Sequence, residues 1–356
     1  MTTELSTIAV LGLGKVGSLV ATLLVESGFV VHGIDMDTSR PIDGVHMVAA
    51  DLSNPAAIAE AVDGCHAVVS CLPYDLNIAI ADVAAQKGLH YFDLTEDVPT
   101  TDHIRQLAAT SVGLMAPQCG LDPGFIGIVG ASLAGELDTC RSLKMRVGAL
   151  PQHPTGLLGY AFNWSAEGVV NEYLNDCEVI EDGVRKFVSP MEWRETIYIN
   201  GTELEAFTTS GGLGTMCETL VDSVDNLDYK SLRYPGHMLQ MNFFFHELLM
   251  REDRAKATEI LTRAKPPVEA DVVHVHVAAE GTLDGRLVRK EFVRSYMPKE
   301  IAGVMRTAIS WTTAASLVAV IDMVAHGALP ESGFLHQEHI GLSEFLASRT
   351  GSYYEV

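Results

Sequence analysis

A chain of 356 residues is long enough for two domains with separate hydrophobic cores. Its formal net charge of −22 disfavours nucleic acids and anionic membrane surfaces as partners, because like charges repel. The six cysteines are scattered, without a C-x-x-C pair or a zinc-type His/Cys spacing, so we expect free thiols, a reducing cytoplasm and no metal. The first seven residues are polar and run into an apolar stretch, so no secretory signal is expected there.

Residues 10–37, VLGLGKVGSLVATLLVESGFVVHGIDMD, predict a strand–loop–helix–strand unit that binds a dinucleotide. Gly12, Gly14 and Gly17 follow an apolar strand and open a helical pattern, and the second strand ends at Asp35. The first glycine permits a tight turn, the second lets the backbone approach a pyrophosphate, and the third lets the helix pack on the strand. The helix N-terminus would then present its N–H groups to the phosphates.

The end of the second strand predicts which dinucleotide binds. Asp35 would accept hydrogen bonds from the adenosine ribose hydroxyls and would repel a 2′-phosphate, so we expect NAD rather than NADP. Arg40, five residues on, keeps NADP open, because a nearby arginine can accommodate that phosphate. The other residues expected to bind the cofactor are Lys15, Val16, Asp51, Cys71, Leu72, Pro73 and Thr95.

Strands and helices continue to alternate through the first third of the chain. The patterns predict strands at 45–50, 67–71, 90–94 and 113–117, with helices at 55–62, 78–87 and 101–110 between them. This alternation is typical of a doubly wound parallel α/β sheet, the Rossmann arrangement, whose ligand lies outside the carboxyl ends of the strands.

The pattern changes after GLDPGF, residues 120–125. A helix is expected at 126–137, and longer strand-like stretches follow, with two helical ones among them. Asp284–Gly285 predicts a hairpin turn between an alternating stretch at 272–277 and a strand at 287–293. We therefore expect an antiparallel sheet with helices, an α+β domain for substrate binding or dimerisation.

The last segment returns to a helical pattern, expected over 301–325 and packing back onto the first domain. Its apolar part, 309–325, contains Thr, Ser and Asp residues, so it predicts a buried helix rather than a membrane span. The expected domains are residues 1–122 (Rossmann), 123–300 (inserted α+β) and 301–356 (C-terminal helices returning to the Rossmann domain).

With these landmarks the chain resembles the saccharopine dehydrogenase-like family, which includes lysine 6-dehydrogenase. The resemblance rests on VLGLGKVG, VVSCLPYDLN, GLHYFDLTED, PQCGLDPG, GYAFNWSAEGVVNEY, SLRYPGH and TAISWTTAASLVAVIDMVAHG, which follow the family order. It implies a Rossmann domain completed by C-terminal helices, an inserted α+β domain that forms the dimer interface and substrate cleft, and hydride transfer at a C–N bond with NAD(P).

Two motifs supply candidates for contact with a substrate. Asp122, in GLDPG, could hold an ammonium group or relay its proton, or could simply bond its own backbone in a turn. In GYAFNWSAEG the family resemblance implies roles for a catalytic Tyr160 and for substrate-binding side chains, although Tyr and Trp in a buried strand are equally consistent with a core. The substrate-binding candidates are Asn163, Trp164, Ser165 and, further along the expected helix, Glu172.

SLRYPGH supplies candidates for the carboxylate end. Arg233 has the side chain best shaped to hold a carboxylate through two hydrogen bonds. His237 titrates where an amine oxidation needs a base. A surface ion pair and a histidine at a helix start are the structural alternatives.

These observations predict an NAD-dependent dehydrogenase of an amine or amino acid, most specifically a lysine 6-dehydrogenase-like oxidative deamination. An opine-type reductase, joining an amine to an oxoacid as saccharopine-forming relatives do, is the enzymatic alternative. A non-catalytic NAD-binding regulator is the alternative of another class. The expected partners are a small amino acid or amine and, from the resemblance, a second copy of the chain.

Overall fold

The structure, a computed structural model, describes residues 5–355. The strands are β1 (Thr7–Leu11), β2 (Val30–Asp35), β3 (Val45–Ala49), β4 (Ala67–Ser70), β5 (His90–Phe92), β6 (Leu114–Ala116), β7 (Thr139–Pro151), β8 (Cys177–Glu181), β9 (Val184–Val188), β10 (Glu195–Ile199), β11 (Thr202–Thr208), β12 (Val224–Arg233), β13 (Asp271–Leu283), β14 (Arg286–Tyr296), β15 (Lys299–Ile301), β16 (Val304–Arg306) and β17 (Gly333–Phe334).

The α-helices are α1 (Lys15–Glu26), α2 (Pro55–Ala61), α3 (Tyr74–Lys87), α4 (Val98–Ala108), α5 (Phe125–Gly135), α6 (Ala166–Glu172), α7 (Met216–Thr219), α8 (His237–Asn242), α9 (Arg254–Ala264), α10 (Ala308–Ala325) and α11 (Leu342–Ala347). A π-helical turn, Phe243–Glu247, continues α8. The chain forms two compact units, one reaching Ile128 and resuming at Ser310, the other Val129–Ile309.

The first unit contains a parallel sheet in the order β17-β6-β5-β4-β1-β2-β3. Apart from the added β17, this is the doubly wound order of dinucleotide-binding sheets, and it confirms the predicted Rossmann-type α/β fold. The central strands β1 and β4 are almost entirely buried, because helices cover both faces of such a sheet. The helix predicted to stop at Gly88 does so, since that glycine adopts the left-handed conformation, with φ of 69°.

The second unit contains a mixed sheet in the order β10-β11-β12-β7-β13-β14, to which β8 and β9 are attached. The expectation of an antiparallel sheet is wrong for one pair: β12 runs parallel to β7, because α6 and β8–β11 carry the chain back before β12 begins. The hairpin predicted at Asp284–Gly285 is confirmed. Both residues have positive φ, 52° and 73°, as its tight turn requires.

The helical pattern expected from residue 301 fails at its start. Residues 299–306 form the hairpin β15–β16, since Ala302 and Gly303 take positive φ values of 51° and 72° and turn the chain. Helix α10 begins only at Ala308. The Asp271 carboxylate accepts hydrogen bonds from the N–H groups of Ala308 and Ile309, at 2.6 and 3.0 Å, and so satisfies two donors of the first helical turn.

Helix α10 is long and apolar enough to cross a membrane by length and composition, but 78% of it is buried inside the protein, in agreement with the predicted core helix. The C-terminal segment packs on it. Thr350 donates to the Ala315 carbonyl at 2.9 Å, and the Tyr354 hydroxyl bonds the Thr312 carbonyl.

Candidate active site

The glycine-rich loop has the shape that the sequence predicts. Gly12 follows β1 with φ of 86°, and its N–H donates to the Ile34 carbonyl at 2.9 Å. A Cβ on Gly17 would lie 1.8 Å from the Gly12 oxygen, so helix α1 approaches the loop as closely as a backbone can. A Cβ on Gly14 would meet nothing within 4 Å. The backbone is therefore tightly packed at Gly12 and Gly17 and leaves free space at Gly14. This space fits a pyrophosphate bound at the N-terminus of α1.

Asp35 is held at the edge of this loop. One carboxylate oxygen accepts from the Leu13 N–H at 2.7 Å, and the other accepts from the Asp37 N–H at 3.0 Å. Each oxygen keeps a further lone pair for a ribose hydroxyl. Hydrogen bonds from Ser39, and to a smaller extent the charge of Arg40, lower the pKa of the Asp37 carboxyl. The loop after β2 thus contains two carboxylates, Asp35 and Asp37, and one cation, Arg40.

The remaining cofactor candidates follow the carboxyl ends of strands in the same sheet. Cys71 and Leu72 follow β4, and Leu72 contacts the position of the Gly12 Cβ. Burial raises the pKa of the Cys71 thiol to about 12, so it stays protonated at neutral pH. Asp51 follows β3 and accepts from Ser53 through both its N–H and its hydroxyl. Pro73 immediately precedes α3, and Thr95 is buried in the loop that follows β5.

Asp93, which directly follows β5, was not predicted as a site residue. Its carboxylate is fully buried and accepts from the Tyr91 hydroxyl at 2.8 Å and from the N–H groups of Thr95 and Gln118 at 3.0 and 2.9 Å. Burial raises its pKa to about 6. The signal in the sequence was a lone carboxylate directly after an apolar strand, at the edge where parallel sheets bind ligands. Asp93 thereby fixes two loops at that edge.

Asp122 lies half-buried in the turn that precedes α5. The turn is narrow: Gly120 accepts from the Phe125 N–H at 2.9 Å, and Gly124 has φ of 133°. Its expected contact with an amine stays a prediction.

In the second unit the structure brings four of the predicted residues into one buried cluster: Tyr160, Glu172, Arg233 and His237. Arg233 ends β12, and its side chain is almost completely buried, with a residue exposure of 3%. Its Nε donates to the Tyr173 hydroxyl at 2.7 Å and its Nη1 to the Leu232 carbonyl at 2.9 Å. The guanidinium lies over the Tyr160 ring, 4.7 Å from its centroid. A surface ion pair, the structural alternative for Arg233, is thus excluded.

Among residues 5–355, Glu172 is the only carboxylate that forms a salt bridge with Arg233. Its Oε2 lies 3.8 Å from Nη2 of the guanidinium. That distance is too long for a hydrogen bond. Among the residues that the structure describes, no carboxylate therefore lies at hydrogen-bond distance from the Nη1–Nη2 edge of Arg233.

His237 opens α8 and is engaged through both ring nitrogens. Nε2 lies 2.9 Å from the Tyr173 hydroxyl, and Nδ1 lies 2.9 Å from the Leu158 carbonyl. Burial and the neighbouring Arg233 lower its pKa to about 3, so the imidazole is neutral at physiological pH. The sequence suggested that His237 is a catalytic base. In this arrangement the imidazole instead positions Tyr173, and it could accept a proton from a substrate only after one of its two hydrogen bonds had broken.

The GYAFNWS stretch is a loop rather than a strand. The Asn163 side chain donates to the Val268 carbonyl at 3.0 Å and accepts from the Val268 N–H at 2.7 Å, which ties two loops together. Ser165 caps α6 by accepting from the Gly168 N–H at 3.0 Å. Trp164 packs, half-buried, on the core that contains the Arg233 cluster. These contacts explain why the residues are present without requiring that they bind a substrate.

Sequence comparison assigns both halves of the chain. Residues 8–114 match the saccharopine dehydrogenase NADP binding domain, and residues 120–348 match the saccharopine dehydrogenase C-terminal domain. The saccharopine dehydrogenase [NADP(+), L-glutamate-forming] of Schizosaccharomyces pombe is 24% identical over 142 residues. That alignment covers 38% of this chain and 32% of the relative, so the chain spans about a third of the curated protein's length.

Comparison of structures supports the same fold. The apo saccharopine dehydrogenase (L-Glu forming) from Saccharomyces cerevisiae superimposes with a TM-score of 0.76 at 15% identity, over 98% of both chains. An engineered D-amino acid dehydrogenase bound to NADP+ gives a TM-score of 0.51 at 12% identity, over 99% of both chains. The glycine-rich loop, the doubly wound sheet and the two family domains agree, and the chain belongs to the saccharopine dehydrogenase-like family of NAD(P)-binding oxidoreductases.

Proposed function

We propose that this protein is an NAD-dependent dehydrogenase that oxidises a C–N bond of an amino acid, with lysine 6-dehydrogenase-like deamination as the specific reaction. The observation that carries the proposal is the buried Arg233 guanidinium, whose Nη1–Nη2 edge is not closely paired. A substrate carboxylate could accept charge-assisted hydrogen bonds from this edge of the guanidinium. A bound nicotinamide supplies the hydride acceptor; the protein positions and polarises.

Different residues bind the cofactor and the substrate in this proposal. The Gly12–Gly17 loop and the N-terminus of α1 bind the pyrophosphate, and Asp35 accepts from the ribose hydroxyls. Arg233 binds the substrate carboxylate, while Tyr173, held by His237, fixes the plane of the guanidinium. An amine must be neutral to lose hydride from its carbon, so alkaline pH should favour oxidation. Asp122 stays the candidate for contact with the amine.

The preference for NAD over NADP is itself a proposal. The names of the matched domain and of the relatives point to NADP instead. Its support is Asp35, preset by two backbone donors, with a second carboxylate at Asp37. Titration of the protein with each dinucleotide by calorimetry separates the two. Tighter binding of NADP would remove this part while leaving the dehydrogenase proposal intact.

An opine-type reaction is the second candidate, since both matched domains and both yeast relatives carry the name saccharopine dehydrogenase. A single panel separates the two. Formation of reduced dinucleotide from L-lysine or other amino acids at alkaline pH supports deamination, and consumption of it with an amine plus an oxoacid supports coupling. Cofactor binding without turnover in either direction would contradict both and favour a regulator. The predicted homodimer and cytoplasmic location stay predictions, testable by light scattering and by cell fractionation.

A further inference from the structure

A cavity of about 780 Å³ opens on the second unit, within the size range of small-molecule sites. Its charged lining consists of Glu192, His246, Arg251, Glu252 and Arg254. Tyr173 forms part of its wall, so the cavity lies against the Arg233 cluster without containing Arg233 itself.

The two arginines of the cavity bond only neutral acceptors. Arg254 donates to the side-chain oxygens of Asn171 and Asn175, at 2.6 and 2.9 Å. Arg251 lies 3.0 Å from Nδ1 of His246. Neither arginine forms a salt bridge with any carboxylate in the described part of the chain. Both arginines are exposed, so their guanidinium groups are accessible to a ligand from solvent.

Local helix stability does not explain Arg254. It is the first residue of α9, where the positive end of the helix dipole disfavours a cation. The cavity also contains Glu192 and Glu252, which form no salt bridge with the arginines or with any other residue that the structure describes. Charges of both signs therefore line one cavity without neutralising each other.

We propose that this cavity binds an amino dicarboxylate. Each arginine can bind one carboxylate group through a two-bond fork, and the glutamates can accept from the ammonium group. A plain dicarboxylate would leave the glutamates unpaired and would bring negative charge close to them, so the ammonium group is part of the specificity.

A ligand in the cavity can affect the Arg233 cluster through Tyr173. Tyr173 lines the cavity, and its hydroxyl accepts from Arg233 and contacts His237. A ligand that shifts Tyr173 changes the position of the guanidinium and hence the KM of the substrate. This coupling rests on the role proposed for Arg233, whereas binding in the cavity does not.

Calorimetry with L-glutamate as the probe tests the binding. We expect saturable binding to the wild-type protein, and at least about tenfold weaker binding, equal to about 1.4 kcal/mol, when Arg251→Gln and Arg254→Gln are combined. The matched control is Arg263→Gln, an exposed arginine on the same helix outside the cavity, which should bind as the wild type does. Glutarate, which lacks the ammonium group, should bind several-fold more weakly than L-glutamate.

The Arg233→Ala variant separates this cavity from the substrate site. Retained L-glutamate binding in that variant supports the proposal, and binding that is lost there but kept in the double variant overturns it. Absence of binding to the folded wild-type protein, or equal affinity for glutarate, also overturns it. If no substrate is turned over, the proposed function fails while these binding measurements still decide the inference. With a substrate in hand, L-glutamate should change KM in the wild-type protein and much less in Tyr173→Phe.

Discussion

Arg233 offers the most direct test of the proposed reaction. Replacing it with alanine removes the charge that would hold the substrate carboxylate, and a hydrogen bond to a charged group is worth about 1.5–3 kcal/mol. We therefore expect kcat/KM to fall by roughly tenfold to a few hundredfold, at about 1.4 kcal/mol per decade. Arg233→Lys should recover only part, because an ammonium group cannot span both carboxylate oxygens and would lose the stacking on Tyr160.

The assay follows reduction of the dinucleotide with the amino acid that the substrate panel identifies. For lysine, the control substrate is 1,5-diaminopentane, which has no carboxylate and should be insensitive to the substitution. Dinucleotide affinity should not change. Because Arg233 also packs between Tyr160 and Tyr173, thermal unfolding must show that each variant is folded. Equal losses on both substrates in a folded variant would mean that Arg233 supports the fold, and the carboxylate assignment would be wrong.

Three further predictions concern the cofactor loop and His237. Asp35→Ser combined with Met36→Arg should shift the dinucleotide preference toward NADP in calorimetric titrations; an unchanged ratio would refute the ribose contact. Gly14→Val should abolish dinucleotide binding in a folded protein, since its side chain would fill the space left open at that position; undiminished affinity would place the ligand elsewhere. His237 has its pKa lowered to about 3 from 6.5, so its contribution to the free energy of unfolding is present above pH 6.5 and is lost as the pH falls toward 3. His237→Gln should flatten that part of the urea-unfolding profile, and a parallel profile would contradict the buried neutral state.

The dinucleotide half could be predicted in detail because its signals are local. A glycine at a positive φ, a glycine against a carbonyl and an acidic residue at a strand end each leave a mark in a few consecutive letters, as at Gly12, Gly17 and Asp35. Parallel strands covered on both faces are also apolar runs in the sequence, so the parallel α/β sheet could be predicted from the alternation of strands and helices.

The substrate half could be predicted only as a set of candidates. Arg233 and His237 were candidates from the sequence, but Tyr173, which bonds both of them, was not. It comes 60 residues before Arg233 and meets the two side chains only in the folded unit. The same packing changes the expected role of His237, since no local pattern reveals that both ring nitrogens are bonded. The helix predicted from residue 301 was wrong over residues 301–306 because the turn at Ala302–Gly303 interrupts a pattern that is otherwise compatible with a helix.

Asp93 depends on both local and tertiary information. It lies within the strand predicted at residues 90–94, but its pKa is set by burial and contacts that only the folded protein provides. Its carboxylate is fully buried, and its pKa is raised to about 6 from 3.8 because burial disfavours the charged form. A raised acid pKa means that the folded state holds the proton more tightly, so the contribution of Asp93 to the free energy of unfolding is greatest below pH 3.8. That contribution is lost as the pH rises through about 6, and its full size is about 3 kcal/mol.

Asp93→Asn should remove this slope while keeping most of the geometry. The N–H groups of Thr95 and Gln118 both donate to the same carboxylate oxygen, which an amide oxygen can replace. The amide nitrogen can then donate to the Tyr91 hydroxyl, which now donates to the carboxylate. Urea unfolding between pH 5 and 7.5 should show the wild-type protein losing about 1–2 kcal/mol relative to the variant, roughly half of the full effect. A constant difference across that range would mean that Asp93 stays ionised throughout, and that its four donors rather than its burial set its charge.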